Sequence, residues 1–250
     1  MIMPVTDLAT VRSIEERALN AWPALRTESS HGWLFRFSNG YTKRANSANA
    51  VAPTVPFPEI FRHAELLYAA QQLPLIFRIS PLAGTEVDSH LDNLGFRRMD
   101  ETLVMVAAIP QNSWQDDQVR IRMNPDESWS TWFADAHGIA AHHRRTHDLM
   151  LASLRLPAAY AMLMTEDRAI VFGMAVLESE MIGLFDIVTT PSERRQGAGR
   201  RLTVSLLAWA ATKRACHAYL QVTAKNIAAR SLYEKLGFRE AYRYHYRIRG

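Results

Sequence analysis

The segment PSERRQGAGRRLTVSLLAWAA, Pro191 to Ala211, places glycines at 197 and 199 among four arginines, where the strand-like run LFDIVTTP gives way to a helix. A helix N-terminus carries unpaired N–H groups and the positive end of the peptide dipoles, so it attracts anions, phosphates above all. Glycines ahead of it remove side chains and let the backbone close round an anion as a nest of donors. Arg194, Arg195, Arg200 and Arg201 add positive charge. The turn reads as a pyrophosphate cradle. On spacing alone an ordinary strand-to-helix turn remains open. No Lys-Ser/Thr pair follows the second glycine as in a P-loop, and GAG lacks the third glycine of a dinucleotide fingerprint.

Working outward, Leu8, Val11, Ile14, Ala18 and Trp22 mark an amphipathic helix closed by Pro23. GWLFRFSNGYTKRA reads as a hairpin whose arms flank Asn39-Gly40, a pair suited to a type I′ turn. FPEIFRHAELLYAAQQL is a helix, PLIFRIS a strand, VDSHLDNLGF a short helix with a Gly cap, and DETLVMVAAI a strand. The pattern lapses around Gln111–Asp117, which sets a boundary between domains 1–112 and 117–250. Val119–Met123 alternates, helices cover Asp126 to Leu154, and a meander runs from Tyr160 to Thr190 with a bend at Glu166-Asp167. The helix of the quoted segment follows, then the strand HAYLQVTA, the helix NIAARSLYEKLGF and a last strand, REAYRYHYRIR. There Tyr242, Tyr244, Tyr246 and Ile248 point one way and Arg243, His245, Arg247 and Arg249 the other, which predicts a half-buried strand with a solvated face. SHLDNLGFR from Ser89 echoes SLYEKLGFR from Ser231, each between two strands, so two related units in tandem are expected.

Of the 250 residues 48% are hydrophobic and 22% charged, enough for a packed core and against a disordered or fibrous class. No leader-like start and no bilayer-length apolar run are present, so a cytoplasmic protein without a membrane partner is expected. Cys216 is the only cysteine, which excludes an internal disulfide and reads as a small buried residue. The net charge of +4 suits a phosphorylated cofactor. No basic cluster extends the arginine stripe of the last strand, so nucleic acid is not expected as a partner. His137, His142, His143 and His147 cluster, but no Glu lies between His143 and His147, and Arg144 and Arg145 oppose a cation. No metal is expected there, only an exposed or acceptor-lining helix.

From Ile187 to Phe238 the chain resembles the GNAT superfamily of acetyl-CoA-dependent N-acyltransferases. The phosphate-loop signature Gln/Arg-x-x-Gly-x-Gly/Ala appears as Arg194-Arg195-Gln196-Gly197-Ala198-Gly199. The segment Asn-x-x-Ala-x-x-Leu-Tyr-x-x-x-Gly-Phe appears as Asn226, Ala229, Leu232, Tyr233, Gly237 and Phe238. The resemblance is strong over the C-terminal half and weaker, through the repeat and GYTKRANSANAV, over the N-terminal half.

The resemblance implies an α+β (α/β) fold of two tandem units, each a mixed, mostly antiparallel sheet flanked by helices, the first unit degenerate. It implies an acetyl-CoA-dependent N-acetyltransferase acting by direct attack in a ternary complex, on a small-molecule or peptide amine, as a monomer or homodimer. A non-catalytic acyl-CoA-binding module is the alternative. Ile187, Val188 and Thr189 are assigned to the acetyl and pantetheine end, Arg194, Arg195, Gln196, Gly197, Ala198, Gly199 and Arg200 to the pyrophosphate, and Asn226 to the cofactor arm or to a helix cap. Tyr233 matches the general acid that protonates the departing thiolate, a phenol's pKa of about 10 lying not far above a thiol's; a core tyrosine is the plainer alternative. Several family members carry a glutamate four residues before Asp186, where this chain has Ile182. Asp186, foremost, and Glu180 are the nearest carboxylates for a base, unless they only pair with local cations. Leu91 stands where Tyr233 stands in the second copy, so the first unit is expected to shape the acceptor pocket or hold the fold. Lys43, Arg44, Asn46, Ser47 and Asn49 offer donors for an acceptor carboxylate, or form a solvated loop.

Overall fold

The Asp7 carboxylate accepts from the main-chain N–H groups of Ala9 and Thr10, both at 3.1 Å, and so caps helix α1 (Leu8–Ala21), whose stripe of Val11, Ile14 and Ala18 is buried. The computed structural model describes residues 7–111, 114–166 and 168–249; Asn112 and Ser113 of the expected boundary and Asp167 of the expected bend lie outside them.

After α1, strands β1 (Arg26–Ser30) and β2 (Trp33–Phe37) form a hairpin across His31-Gly32, both at positive φ, 48° and 76°. Gly32 is required there, because a Cβ would meet the Ala52 carbonyl oxygen. Strand β3 (Ala48–Ala50) pairs with β2, helix α2 (Phe57–Ala70) crosses to β4 (Ile76–Ile79) parallel to β3, and α3 (Thr85–Asn93) leads to β5 (Arg97–Ala108). The short strand β6 (Val119–Arg122) and helices α4 (Glu127–His137) and α5 (Ala141–Ser153) intervene. The order then recurs. Antiparallel strands β7 (Ala158–Thr165), β8 (Arg168–Glu178) and β9 (Met181–Thr189) are followed by α6 (Ala198–Thr212), β10 (His217–Thr223) parallel to β9, α7 (Ile227–Lys235) and β11 (Arg239–Ile248).

The two units share one sheet. Among the described residues it has eleven strands in the order β1-β2-β3-β4-β11-β5-β10-β9-β8-β7-β6. At its centre the closing strands are exchanged: β11 lies against β4 of the first half, and β5 against β10 of the second. The repeated segments end in these two strands, which pair with each other from Arg239↔Val106 to Ile248↔Arg97. Each closing strand thereby covers an edge that the other half would leave unpaired.

One face of the second half carries α6 and α7, with Leu202 and Leu206 packed on Val171 and Leu184. The other face buries Trp129, Phe133, Met150 and Phe172, with Trp22 stacked on Phe185. No helix among the described residues is long and apolar enough to cross a membrane.

Four local expectations fail in whole or in part. Asn39 and Gly40 do take positive φ (50° and 75°), but a 3-10 turn, Lys43–Ala45, follows in place of a strand arm. The buried Asn46 side chain decides this: Oδ1 accepts from Ser38 N (2.7 Å) and Gly40 N (3.0 Å), while Nδ2 donates to the Tyr41 and Thr42 carbonyls. The face of β11 expected to be solvated is so only at Arg243 and Arg249; His245 and Arg247 between them are buried, each 2.7 Å from Asp88 of α3. Of the four clustered histidines His137 and His142 are exposed and His143 half-buried, as an exposed helix requires, but His147 is buried and stacked on Phe133 at 5.1 Å. Cys216 is exposed, in the turn that enters β10.

Candidate active site at the strand splay

Strand β10 accompanies β9 only from Met181 to Leu184, then continues beside β5 as far as Thr223, while β9 stays on β8 to Thr189. From Phe185 to Thr189 the outer edge of β9 therefore has no strand partner among the described residues. The divergence begins at a bulge, a register shift between Phe172 and Met174 with Asp186 at φ 52°. Gly173 lies opposite; a Cβ there would stand 2.9 Å from Ile187 Cγ1 and 2.8 Å from Leu202 Cδ2, so the bare backbone lets Ile187 pack.

A cleft of 650 Å³ opens along this edge. It is lined by Ile187, Val188 and Thr189 from β9, by Arg194, Arg195, Gly197, Ala198, Gly199 and Arg200 from the turn into α6, and by Asn226 and Tyr233 at α7. Of the expected residues Gln196 and Asp186 are not in its wall. Glu193, Ala228, Ala229 and Leu232 also line it; Ala229 and Leu232 belong to the motif of the second segment, whereas nothing in the sequence marks Glu193 or Ala228.

The turn is open. The main-chain N–H groups of Arg195, Gln196, Gly197, Ala198 and Gly199 have no hydrogen-bond acceptor among the described residues, whereas those of Arg200 and Arg201 donate to the Gly197 carbonyl at 3.0 and 3.1 Å. Gly197, the N-cap, sits at φ 80° and Arg195 at φ 64°, the alternating geometry that turns successive amides inward. At Gly199 a Cβ would stand 3.5 Å from Thr189 Oγ1 and 3.7 Å from Leu232, in the cleft itself. Five free amides at a helix N-terminus, above a bare position, fit a diphosphate.

The four arginines divide. Arg194 Nε donates to the Thr189 carbonyl (3.3 Å), and Arg195 and Arg200 are exposed at the cleft mouth. Arg201 turns away and binds Asp116 through Nε (2.6 Å) and Nη2 (3.0 Å); that hydrogen bond holds the Asp116 carboxyl below its ordinary range. The Gln196 side chain folds back to the Ser192 carbonyl (3.3 Å). Asn226 caps α7, its Oδ1 accepting from Ala229 N at 3.1 Å.

Tyr233 is 7% exposed and its ring meets Phe238 edge-on at 5.8 Å. Its hydroxyl has no partner among the described residues, and burial pushes its pKa up to about 12, so the phenol is protonated at neutral pH. Asp186 lies on the opposite side of the splay, in a second cleft, with Oδ2 buried and unpartnered. Glu180 sits at the far end of β9, where its carbonyl accepts from Cys216 N (2.8 Å), six residues or about 20 Å of extended chain from Asp186. That distance removes it as a base.

A family model described as "Probable histone acetyltransferase Rv0428c C-terminal" matches residues 8–247. The chain is 29% identical over 244 residues to the "Uncharacterized N-acetyltransferase YobR" of Bacillus subtilis (strain 168), covering 96% of this chain and 98% of that protein. Two solved structures share the fold. A GCN5-related N-acetyltransferase from Kribbella flavida superposes with a TM-score of 0.69 at 15% identity, over 95% of this chain and 94% of its own. A tandem GNAT protein from the clavulanic acid biosynthesis pathway gives 0.67 at 10% identity, over 100% and 89%.

Proposed function

The chain belongs to the family of the Rv0428c C-terminal model, within the GNAT superfamily of N-acetyltransferases, and on that premise we propose that it moves an acetyl group from acetyl-CoA to a primary amine by direct attack in a ternary complex. The observation that carries the reading is the row of five unsatisfied amides, Arg195 to Gly199, at the mouth of a cleft that ends on Tyr233.

When bound, acetyl-CoA supplies an activated thioester. The Arg195–Gly199 amides, with Arg195 and Arg200, hold the diphosphate. The unpaired edge of β9 at Ile187–Thr189 donates to the pantetheine arm and to the acetyl carbonyl oxygen, which gains negative charge as the amine attacks. Asp186, beside Ile187 but facing the other cleft, takes the proton the amine loses. Tyr233 donates its O–H to the departing sulfur. Its pKa of about 12 lies roughly three units above that of a thiol, so it stabilises the departing thiolate as a hydrogen-bond donor and keeps its own proton; Asp186 releases the amine's proton to solvent, and the CoA thiolate takes one from solvent as it leaves. No covalent enzyme intermediate is required.

Incubation with acetyl-CoA and a panel of amines, read by free thiol and by the mass of the product, tests the reading. Thiol release that depends on the amine is expected. Binding of acetyl-CoA without amine-dependent release would make the protein an acyl-CoA-binding module instead.

A further inference from the structure

The second cleft, of 320 Å³, lies on the Trp22 side of the sheet, with walls from both halves of the chain. Asp186 lines it and the next residue, Ile187, lines the first cleft, so the two meet across the splay.

Three polar groups here lack hydrogen-bond partners among the described residues. Asp186 Oδ2 is buried without a hydrogen bond, and so is Gln221 Nε2; the other end of that amide, Oε1, accepts from the Tyr244 hydroxyl at 3.0 Å. The Arg44 side chain makes no ion pair and no hydrogen bond among the described residues, while Lys43 beside it is satisfied by Asp100 at 2.8 Å. Arg44 is held in place by rings, its guanidinium carbon lying 6.0 Å from the Trp22 centroid and 5.6 Å from that of Phe185. Behind it Arg36 and Arg78 are buried, and the Glu15 carboxylate is bound to Arg78. The cleft therefore offers a guanidinium and a carboxamide donor, together with a carboxylate next to the acyl-transfer edge; Asp186 attracts Arg44 across the cleft but makes no hydrogen bond to it. Buried polar atoms without partners are costly, so Asp186 Oδ2 and Gln221 Nε2 point to groups that a ligand supplies, and the half-buried Arg44 guanidinium offers a cation beside them.

Resting on the acetyltransferase reading above, we propose that the acceptor is a small amino acid-like zwitterion: its carboxylate is held by Arg44 and Gln221, and its amine by Asp186 at the splay. The volume is at the low end of ligand sites, which suits a free amino carboxylate and not a folded protein surface. Attack forms the N–acyl bond and breaks the C–S bond; the amine proton passes to Asp186 and the product is an N-acetylated carboxylate with free CoA.

The test is thiol release from acetyl-CoA with matched triplets: each amino acid, its carboxamide and its decarboxylated amine. At least one amino acid is expected to exceed its carboxamide and amine in kcat/KM by about 10-fold to 100-fold, the range of a lost charged hydrogen bond. Arg44→Gln should raise KM for that amino acid by a similar factor, erase its advantage over the carboxamide and leave acetyl-CoA affinity unchanged. If Arg44→Gln does not fold, Gln221→Leu reports the same loss of preference on a smaller scale. Equal use of carboxamides or of peptide N-termini, or a preference untouched by these variants, would overturn the proposal while leaving acetyl transfer standing. No thiol release with any amine would instead strike the underlying reading.

Discussion

Tyr233 and Leu91 hold equivalent places in the two copies of the repeat, and both are buried. Only the first carries a hydroxyl, and it opens on the cleft. Tyr233→Phe removes that hydroxyl and little else, so kcat should fall by about 100-fold with acetyl-CoA affinity changed less than about threefold; isothermal titration and steady-state rates separate the two. The motif made Tyr233 legible in the sequence, as it did the glycine turn. Asp186 was legible as a nearby carboxylate but not as a member of a different cleft, because that depends on a bulge opposite Gly173 which no spacing announces. His147 and His245 add a pH dependence. Burial holds both below the ordinary imidazole value of 6.5, outweighing the pull of Asp186 and Asp148 on His147 and of Asp88 on His245. The unfolded chain then binds protons that the folded chain refuses, so stability should decline as pH drops below 6.5. Thermal unfolding at pH 7.5 and 5.5 checks this, and His147→Phe should reduce the difference.

At the level of elements, the site is made by two interruptions: β9 leaves β10 after Leu184, and α6 begins on free amides. Gly199→Val tests the second. A larger side chain between Thr189 and Leu232 fills the cleft without disturbing the helix, so acetyl-CoA affinity should drop at least about 10-fold while the melting temperature moves little, the position being partly exposed. The periodic elements were readable, α1, α2, α6 and the meander above all, because burial imposes their spacing. Strand β1 was not: RTESS is a polar edge strand with no apolar alternation. The Asn39-Gly40 hairpin misread a correct local conformation, since Asn46, distant by several residues, takes the amides that a strand partner would have used. The splay itself is a property of strand pairing, which lies outside any single segment.

Across the whole molecule, the exchanged closing strands tie the N-terminal half to the site. Glu15 of α1, 1% exposed, accepts from Arg78 of β4, with Nη2 to Oε1 at 2.9 Å, and from the Tyr242 hydroxyl of β11. One carboxylate thus joins both halves behind the Arg44 wall. Glu15→Ala leaves Arg78 charged and buried, a change that costs about 3–5 kcal/mol when a buried pair is broken; urea unfolding should show that loss in one transition covering both halves. The central claim is that the amides of Arg195–Gly199 grip the cofactor's diphosphate, and amide NMR during titration with CoA tests it most directly. The account predicts that these five resonances shift, and that inorganic pyrophosphate at higher concentration moves the same set. CoA binding that leaves them unmoved while resonances elsewhere respond would contradict it.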